Sequence, residues 1–379
     1  MRIGFDAKRA FFNFTGLGNY SRFIIRILCQ YFPQNQYIFY TPKPTGDKDI
    51  LPEVALRNAT TRLPYSIISY LQLHSLWRSW WMGNTFEKDR LDIYHGLSNE
   101  IPQRTTNKVP SVITMHDLIF LRHPELYKGI DRRLYTYKYQ KSCERATGII
   151  AISEQTKWDL MEYFKVPDEK IRVIYQGCNP IFRKNYLEDQ IHLIKEKYHL
   201  PDTFMLNVGT IEPRKNALSI LKGMHIASID VPLVVVGRAT AYKQKLEQYI
   251  RQHDLQKKVI FLHDVTFEDL PLIYRLASLF IYPSIFEGFG IPILEALVSG
   301  VPVITSTGSC FAEAGGMNSA YVTPGDDEAL GHKMEEILTN EKLRKEMITK
   351  GLKHAEQFED SKLAHNLISY YEEISGVKV

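Results

Sequence analysis

The sequence predicts an α/β protein made of two doubly wound, Rossmann-like domains, and three observations support this. Short β-rich apolar runs alternate with helical segments in both halves of the chain, which is typical of parallel sheets covered by helices. The 379 residues exceed what one hydrophobic core usually organises. Gly177 and Pro180 interrupt the alternation at residues 176–189, and it then restarts. We therefore expect residues 1–180 and 181–379 to form separate domains.

In the first half, strands and helices follow one another regularly. Strand residues 2–7 precede a glycine loop that opens a helix ending near residue 31. Helices are also predicted at residues 132–145 and 154–164, the second capped by Ser153, whose hydroxyl can accept a bond from a free helical N–H. The remaining predicted strands cover residues 37–41, 92–96, 111–117, 148–153 and 171–175.

The second half repeats this alternation. A helix at residues 268–277 precedes the strand at residues 279–283, and three helical segments close the chain. The other predicted strands cover residues 204–208, 231–236, 259–262, 303–305 and 321–323.

The charge is divided unevenly between the two halves. Residues 1–180 contain 25 Lys and Arg against 17 Asp and Glu, a net charge of +8, whereas residues 181–379 contain 22 against 26, a net charge of −4. A basic half suggests an anionic partner such as a phospholipid surface or a phosphorylated substrate, but a solvated surface explains the count equally well. We expect no nucleic-acid partner.

The cysteines and the hydropathy of the chain indicate in which cellular compartment the protein is expected. Cys29, Cys143, Cys178 and Cys310 stand far apart, which predicts reduced thiols in the cytosol and no zinc site. The chain has no run of about 18 uncharged apolar residues that would predict a membrane span. Its first residues enter a strand directly, so we expect no signal peptide.

Residues 65–82 combine aromatic side chains at helical spacing. Tyr70, Leu73, Trp77 and Trp81 fall on one face of a helix, with Trp80 beside them. An aromatic helix in a basic region can lie in a membrane interface, or it can pack on the protein's own sheet. The sequence leaves both interpretations open.

The motif at residues 284–295 is the most informative part of the chain. The predicted strand at residues 279–283 leads to Gly288 and Gly290, and Pro292 is expected to open a helix at its first position. Glycines let backbone amides approach a ligand, and a helix N-terminus favours an anion. The motif therefore predicts a ligand site at the carboxyl edge of a parallel sheet.

Charged side chains accompany this loop. Glu287 lies before the predicted helix and Glu295 lies in its first turn, and ionised carboxylates suit a hydroxyl-rich ligand. Arg214 and Lys215 follow another predicted strand, beside the turn-forming Pro213. Since arginine binds phosphates through paired hydrogen bonds and lysine as a point charge, we predict that this pair binds a diphosphate.

The first half offers two further candidates. Gly16 and Gly18 resemble a dinucleotide fingerprint, but Ser21 occupies the third glycine position and no acidic residue follows at the expected distance. A glycine loop facing a phosphate is therefore favoured over a nicotinamide site. His116 ends a strand beside Asp117, an acid suited to fix the tautomer of the imidazole.

Together these segments resemble the family 4 (group 1) retaining glycosyltransferases, in which two Rossmann-like domains face a cleft in the GT-B type of fold. The likeness covers nearly the whole chain, and its most specific element is the pair of glutamates separated by seven residues, Glu287 and Glu295. The chain departs from the family pattern at Gln176 and after Glu313. The segments that carry the likeness are residues 16–20, 116–118, 153–154, 209–216 and 286–295.

The resemblance implies a role for each candidate. Arg214 and Lys215 would neutralise the donor diphosphate, Glu287 would bind the transferred sugar, and His116 would lie beneath that sugar; these four form the expected catalytic set. The last helix, near residues 364–376, would pack back on the first domain. The expected substrate-binding set is Gly16, Gly18, Asp117, Gly209, Gly288, Phe289, Gly290, Ile291 and Glu295, the last on the ribose.

The implied activity is transfer of a hexose, with mannose as the first guess, from a nucleotide-diphosphate sugar to a surface polysaccharide or lipid-linked oligosaccharide. The resemblance implies no metal and no cofactor beyond the donor. The cysteines indicate a cytoplasmic protein, and the basic first half and the aromatic segment favour peripheral contact with an anionic membrane. A front-side displacement is favoured, with a covalent double displacement as the alternative. The competing functions are a sugar-nucleotide epimerase of the same fold and a non-catalytic sugar-nucleotide-binding protein.

Overall fold

The computed structural model describes residues 1–44, 58–64, 73–104 and 108–379. It divides the chain into two compact units, Met1–Gly177 together with Phe358–Val379, and Cys178–Gln357. Each unit contains one parallel sheet whose strands alternate with helices along the chain. The predicted fold class, α/β with two doubly wound units, is confirmed.

The first unit is built on a seven-stranded sheet in the order β3-β2-β1-β4-β5-β6-β7, and every pairing is parallel. Strand β1 pairs on both sides, with Ile3 opposite Tyr37 of β2 and Ile93 of β4. The strands are β1 (Arg2–Asp6), β2 (Gln36–Tyr40), β3 (Ala59–Arg62), β4 (Ile93–Gly96), β5 (Ser111–Met115), β6 (Gly148–Ala151) and β7 (Ile171–Val173).

The helices of this unit begin and end largely where the sequence predicts. The Ser153 hydroxyl accepts a hydrogen bond from the Thr156 N–H at 3.0 Å, as expected of a helix cap. The sequence analysis missed the short helix after β1 and the edge strand β3, whose Thr60–Arg62 side chains are exposed and show no apolar pattern. The α-helices are α1 (Lys8–Phe12), α2 (Gly16–Tyr31), α3 (His74–Leu76), α4 (Ile119–Arg122), α5 (Gly129–Arg145) and α6 (Glu154–Phe164).

The second unit has a six-stranded parallel sheet in the order β10-β9-β8-β11-β12-β13. Its strands are β8 (Met205–Val208), β9 (Leu233–Val236), β10 (Val259–Leu262), β11 (Leu279–Tyr282), β12 (Val303–Ser306) and β13 (Ala320–Val322). The α-helices of this unit are α7 (Glu188–Lys197), which precedes the sheet, and α8 (Ala217–Ile226), α9 (Lys243–Gln252), α10 (Leu270–Leu276), α11 (Ile291–Val298), α12 (Phe311–Gly315), α13 (Asp327–Thr339) and α14 (Glu341–Ala355).

The aromatic segment divides between core and surface. Trp77 is buried in the hydrophobic core of the first unit, whereas Trp80 and Trp81 each expose 39% of their surface. Three short helical stretches follow one another here, His74–Leu76, the π-helical Trp77–Trp81 and the 3₁₀-helical Met82–Thr85. Tyr70 lies outside the described residues. No helix of the described part of the chain has the length and apolar character needed to cross a bilayer.

The last helix, α15 (Asp360–Ser375), belongs to the first unit. Asp360 accepts a hydrogen bond from Arg26 of α2 at 2.7 Å. Tyr371 is fully buried, and its hydroxyl lies 2.5 Å from Nδ1 of His95 on β4. Tyr370 packs closely on Gly148 of β6. A Cβ on Gly148 would lie 2.3 Å from the hydroxyl oxygen of Tyr370. The chain thus returns to complete the core of the unit in which it began.

We expect the Tyr371→Ala variant to lower the free energy of unfolding of the first unit by about 3–5 kcal/mol, because it empties a large buried site. Tyr371→Phe keeps the ring and removes only the hydroxyl that bonds His95, so the loss should be about 1–3 kcal/mol. Urea denaturation measures both values. The partly exposed Tyr31 supplies the control, since Tyr31→Ala should change little; equal losses for all three variants would contradict the packing of α15.

Candidate active site

Two glycines bring the ends of β8 and β9 close together in the second unit. Gly209, which follows β8, has a φ of +148°, a conformation that side chains rarely adopt. A Cβ on Gly237, which follows β9, would lie 2.0 Å from the carbonyl oxygen of Gly209. After Gly209 the chain runs through the 3₁₀ turn Pro213–Lys215 into α8. Arg214 and Lys215, the two predicted cations, therefore lie at the carboxyl edge of the sheet.

Arg214, Lys215 and Glu287 form one charge cluster at this edge. The guanidinium Nη1 of Arg214 lies 2.7 Å from Oε2 of Glu287, and Nζ of Lys215 lies 2.6 Å from Oε1. Arg214 also donates to the carbonyl of Phe286 and to Glu212, both at 2.8 Å. The structure therefore brings together three of the four residues predicted to be catalytic. Glu287 meets the two adjacent cations although it lies 72 positions after Lys215 in the chain.

The cluster holds Glu287 in its ionised form. Burial by itself would raise the pKa of this carboxyl, but the adjacent Lys215 and Arg214 outweigh burial and lower the pKa to about 2. Burial likewise acts to lower the pKa of Arg214, and the charge of Glu287 reverses this effect and raises it. The two cations of the site therefore share one central anion, and Glu212 is a second carboxylate partner of Arg214. An incoming diphosphate would meet cations already held in place.

Tyr282, at the end of β11, is a member of the cluster that the sequence analysis missed. Its hydroxyl lies 2.5 Å from Nζ of Lys215 and donates to Oε1 of Glu287 at 3.0 Å. The ammonium of Lys215 stands 4.8 Å from the centre of the tyrosine ring, within the range of a cation–π contact. A tyrosine at the end of a buried strand is a signal that could have been used, because a buried hydroxyl needs a polar partner.

The loop between β11 and α11 is fixed by its backbone. The Cys310 thiol donates to the carbonyl oxygens of Glu287 and Phe289, at 3.2 and 2.9 Å. Gly290 has a φ of +110° and caps α11, which begins at Ile291. Pro292 is the second helical residue rather than the first as predicted, because Gly290 turns the chain into the helix one position earlier. With Gly288, these residues present the start of α11 beside the charge cluster.

Glu295, the second glutamate of the motif, occupies a different environment. It lies on α11 and accepts a hydrogen bond from the Tyr274 hydroxyl at 3.1 Å. Burial raises the pKa of Glu295 to about 7, and this single bond offsets the effect only in part. The pKa values of the two glutamates are thus shifted in opposite directions, that of Glu287 lowered by two neighbouring cations and that of Glu295 raised by burial.

His116, the fourth predicted catalytic residue, lies in the first unit just after β5. Its Nε2 lies 3.0 Å from the carbonyl oxygen of Leu97, so Nε2 carries the proton and Nδ1 remains an acceptor. The ring of Tyr20 meets it edge-on at 4.6 Å. Burial lowers the pKa of His116 to about 4, which keeps the imidazole neutral at physiological pH. The tautomer is therefore set by Leu97, whereas Asp117 accepts a hydrogen bond from the N–H of Ile119.

His95, on β4, is a second buried histidine of the first unit. His95 on β4 lies 2.8 Å through Nε2 from the hydroxyl of Thr114, which in turn lies 3.0 Å from the hydroxyl of Tyr20. Burial lowers the pKa of His95 to about 3. Since His95 is fully buried and bonded at both nitrogens, its role is structural.

The two glycines of the first unit have different surroundings. At Gly18 a Cβ would lie 1.7 Å from the carbonyl oxygen of Asn13, so close packing of its own loop requires glycine there. At Gly16, the first residue of α2, a Cβ would meet nothing within 4 Å. Only Gly16 therefore leaves open space for a ligand. Across the described residues, no group of three or more His, Cys, Asp or Glu side chains is arranged to hold a metal ion.

Two family models match the chain, one for each half. Residues 24–181 match Glycosyltransferase Family 4, and residues 190–354 match Glycosyl transferases group 1. Two parallel α/β units, with a cation pair and a glycine loop at a sheet edge, define a glycosyltransferase of the GT-B class. The chain belongs to the family 4 (group 1) glycosyltransferases, as the sequence motifs predicted.

Named relatives agree with this membership. The O-antigen chain mannosyltransferase B of Escherichia coli is 28% identical over 375 residues, which cover 94% of this chain and 96% of that protein. The O-antigen chain mannosyltransferase RfbU of Salmonella typhimurium is 32% identical over 57% of this chain and 58% of its own length. Among solved structures, Anabaena Alr3699/HepE in complex with UDP superposes with a TM-score of 0.74 at 18% identity, covering 98% of this chain and all of that one.

We expect the Glu287→Gln variant to lose about 3–5 kcal/mol of stability at pH 7, because two partly buried cations lose their shared anion. Glu212→Gln is the matched control. Glu212 pairs with the same arginine but is more exposed, so its loss should be about 0–1 kcal/mol.

Unfolding should be followed by urea titration across pH. Since the folded pKa of Glu287 lies below the unfolded value, its contribution is complete above about pH 4.5 and is lost as the pH falls towards 2. The difference between parent and Glu287→Gln should therefore be constant from neutral pH to about pH 5. A difference that vanished near neutrality would contradict the charge cluster.

Proposed function

We propose that this protein is a retaining hexosyltransferase that moves a hexose, with mannose as the first candidate, from a nucleotide-diphosphate sugar to a growing cell-surface polysaccharide or lipid-linked oligosaccharide. The observation that carries the proposal is the charge cluster, in which Arg214 and Lys215 are held by one glutamate beside the start of α11. The O-antigen mannosyltransferases among its relatives support the acceptor class and the sugar.

In this proposal the second unit holds the donor. Arg214 and Lys215 neutralise the negative charge that develops on the leaving diphosphate, and the N-terminus of α11 adds its partial positive charge. Glu287, which is ionised, accepts hydrogen bonds from hydroxyls of the transferred sugar. Glu295 binds the ribose hydroxyls, and the backbone from Gly288 to Ile291 completes the sugar contacts.

The first unit holds the acceptor, and His116 contributes a neutral imidazole. Because Nε2 donates to Leu97, Nδ1 is the nitrogen available to accept a hydrogen bond from a sugar hydroxyl. Its low pKa means that it keeps this acceptor through the physiological pH range. Gly16 is the first residue of α2, where an approaching phosphate would meet a backbone N–H group. The N–H of Gly18 donates to the carbonyl of Thr15 at 3.0 Å, so the predicted role of Gly18 is limited to the packing of its own loop.

For the chemical step we propose a front-side displacement with retention of the anomeric configuration. An ionised glutamate bound to two cations is a poor nucleophile, which argues against a covalent intermediate on Glu287. The bond from the anomeric carbon to the leaving phosphate breaks while the acceptor oxygen bonds to the same face. The acceptor proton passes to a phosphate oxygen of the leaving group. No metal and no cofactor takes part in this scheme.

The test of the function is an assay with nucleotide sugars and a mannan-type or lipid-linked acceptor, with the linkage of the product read by NMR. An α-linked product from an α-linked donor is expected, as is an unchanged rate in the presence of EDTA. A β-linked product, or loss of activity with EDTA that divalent ions restore, would overturn the mechanism. Conversion of the donor to an epimer in the absence of acceptor would assign the chain to the epimerases instead.

We expect Lys215→Ala and Arg214→Ala each to lower kcat by about 100- to 1,000-fold, since each removes a preorganised donor to the leaving group. The control is Lys222→Ala. Lys222, on α8, also pairs with a carboxylate, Asp327, at 2.7 Å, but it lies outside the cluster. Initial rates at saturating donor, with circular dichroism to verify folding, make the comparison; equal kcat for all three variants would refute the assignment.

A further inference from the structure

Helix α5 carries apolar side chains on two opposite faces. One face packs into the first unit, where the rings of Tyr135 and Tyr139 lie 5.7 and 5.5 Å from that of Phe120. The other face carries Ile130, Leu134 and Tyr137, which are 77%, 49% and 60% exposed. Their spacing of four and three residues places them in one narrow stripe. The core of the unit does not account for this stripe.

Cations border the stripe. Arg133 and Lys138 lie on its two sides at helical spacing, and Lys141 lies in line beyond Tyr137. Lys128 precedes the helix and is exposed. The first unit as a whole, residues 1–177 and 358–379, contains 27 Lys and Arg against 21 Asp and Glu, a net charge of +6, whereas residues 178–357 have a net charge of −2. An apolar stripe bordered by cations on a basic unit is complementary to an anionic surface that has an apolar interior.

Ion pairs connect α5 to the turn that carries the exposed tryptophans. Glu100 contacts Lys138 of α5 at 3.8 Å and Arg78 at 3.1 Å, and Arg78 belongs to the turn that contains Trp80 and Trp81. The guanidinium of Arg104 lies 5.6 Å from the ring of Trp80. Amphipathic aromatic rings and arginines are the side chains that anchor a protein at the level of lipid head groups. Glu100 thus connects α5 to the turn that carries the two exposed tryptophans.

We propose that this surface, formed by Ile130, Leu134 and Tyr137 with Arg133, Lys138, Trp80 and Trp81, binds the head-group region of an anionic lipid bilayer. Ile130 and Leu134 enter the acyl boundary, while Arg133 and Lys138 contact lipid phosphates. The proposal goes beyond the proposed function and does not rest on it. Its test requires neither donor nor acceptor, so the two can fail separately.

The test is sedimentation of the full-length protein with vesicles of phosphatidylcholine alone and with vesicles that contain about 30% phosphatidylglycerol. Binding to the anionic vesicles only is expected, and it should weaken as salt is raised. Arg133→Glu should weaken binding by at least about fivefold, the effect of losing one cation near the surface. Ile130→Glu and Leu134→Glu should abolish the binding that remains at high salt.

Matched controls come from the second unit. Leu193 is 62% exposed on α7, and Arg251 is exposed on α9, so Leu193→Glu and Arg251→Glu repeat each change outside the proposed surface. Both should bind vesicles as the parent does. Equal loss for control and test variants, or parent binding that Ile130→Glu leaves unchanged, would overturn the proposal. The proposal would also be overturned if the parent did not bind anionic vesicles but formed a dimer that the Leu134→Glu variant dissociated. The stripe would then be an interface between two copies of the chain.

Discussion

The sharing of Glu287 between Arg214 and Lys215 is the interaction on which the candidate site depends. Two adjacent cations in a partly buried position would repel each other, and the central carboxylate makes their proximity stable. The carboxylate in turn stays ionised only because the cations outweigh its burial. Neither charge is stable there alone, so the cluster is preorganised for an anionic ligand before that ligand arrives.

The surrounding fold keeps this cluster in place through backbone contacts. The close approach of Gly209 and Gly237 sets the path of the chain towards Arg214, and the Cys310 thiol holds two carbonyl oxygens of the glutamate loop. Most of these contacts join neighbouring strand ends of one parallel sheet. This explains why residues distant in the sequence meet with short bonds, and why small residues occupy the points of closest approach.

The first unit uses burial in a different way. His95 and His116 are kept neutral by burial, and the carbonyl of Leu97 determines which nitrogen of His116 carries the proton. Helix α15 completes this arrangement by inserting Tyr371 beside His95. On the outside of the same unit, α5 leaves an apolar stripe between cations. One unit thus combines buried, neutral histidines with a basic surface.

The sequence by itself determined the fold class, the family and the identity of the charged residues, because alternating strands and helices and a spaced pair of glutamates are local patterns. Tertiary structure decided three things that spacing does not encode. It placed Tyr282 against Lys215, chose the Leu97 carbonyl over Asp117 as the partner of His116, and gave Glu287 and Glu295 opposite pKa shifts. Each depends on which groups from distant segments surround a side chain, and burial and neighbouring charge exist only once the chain has folded.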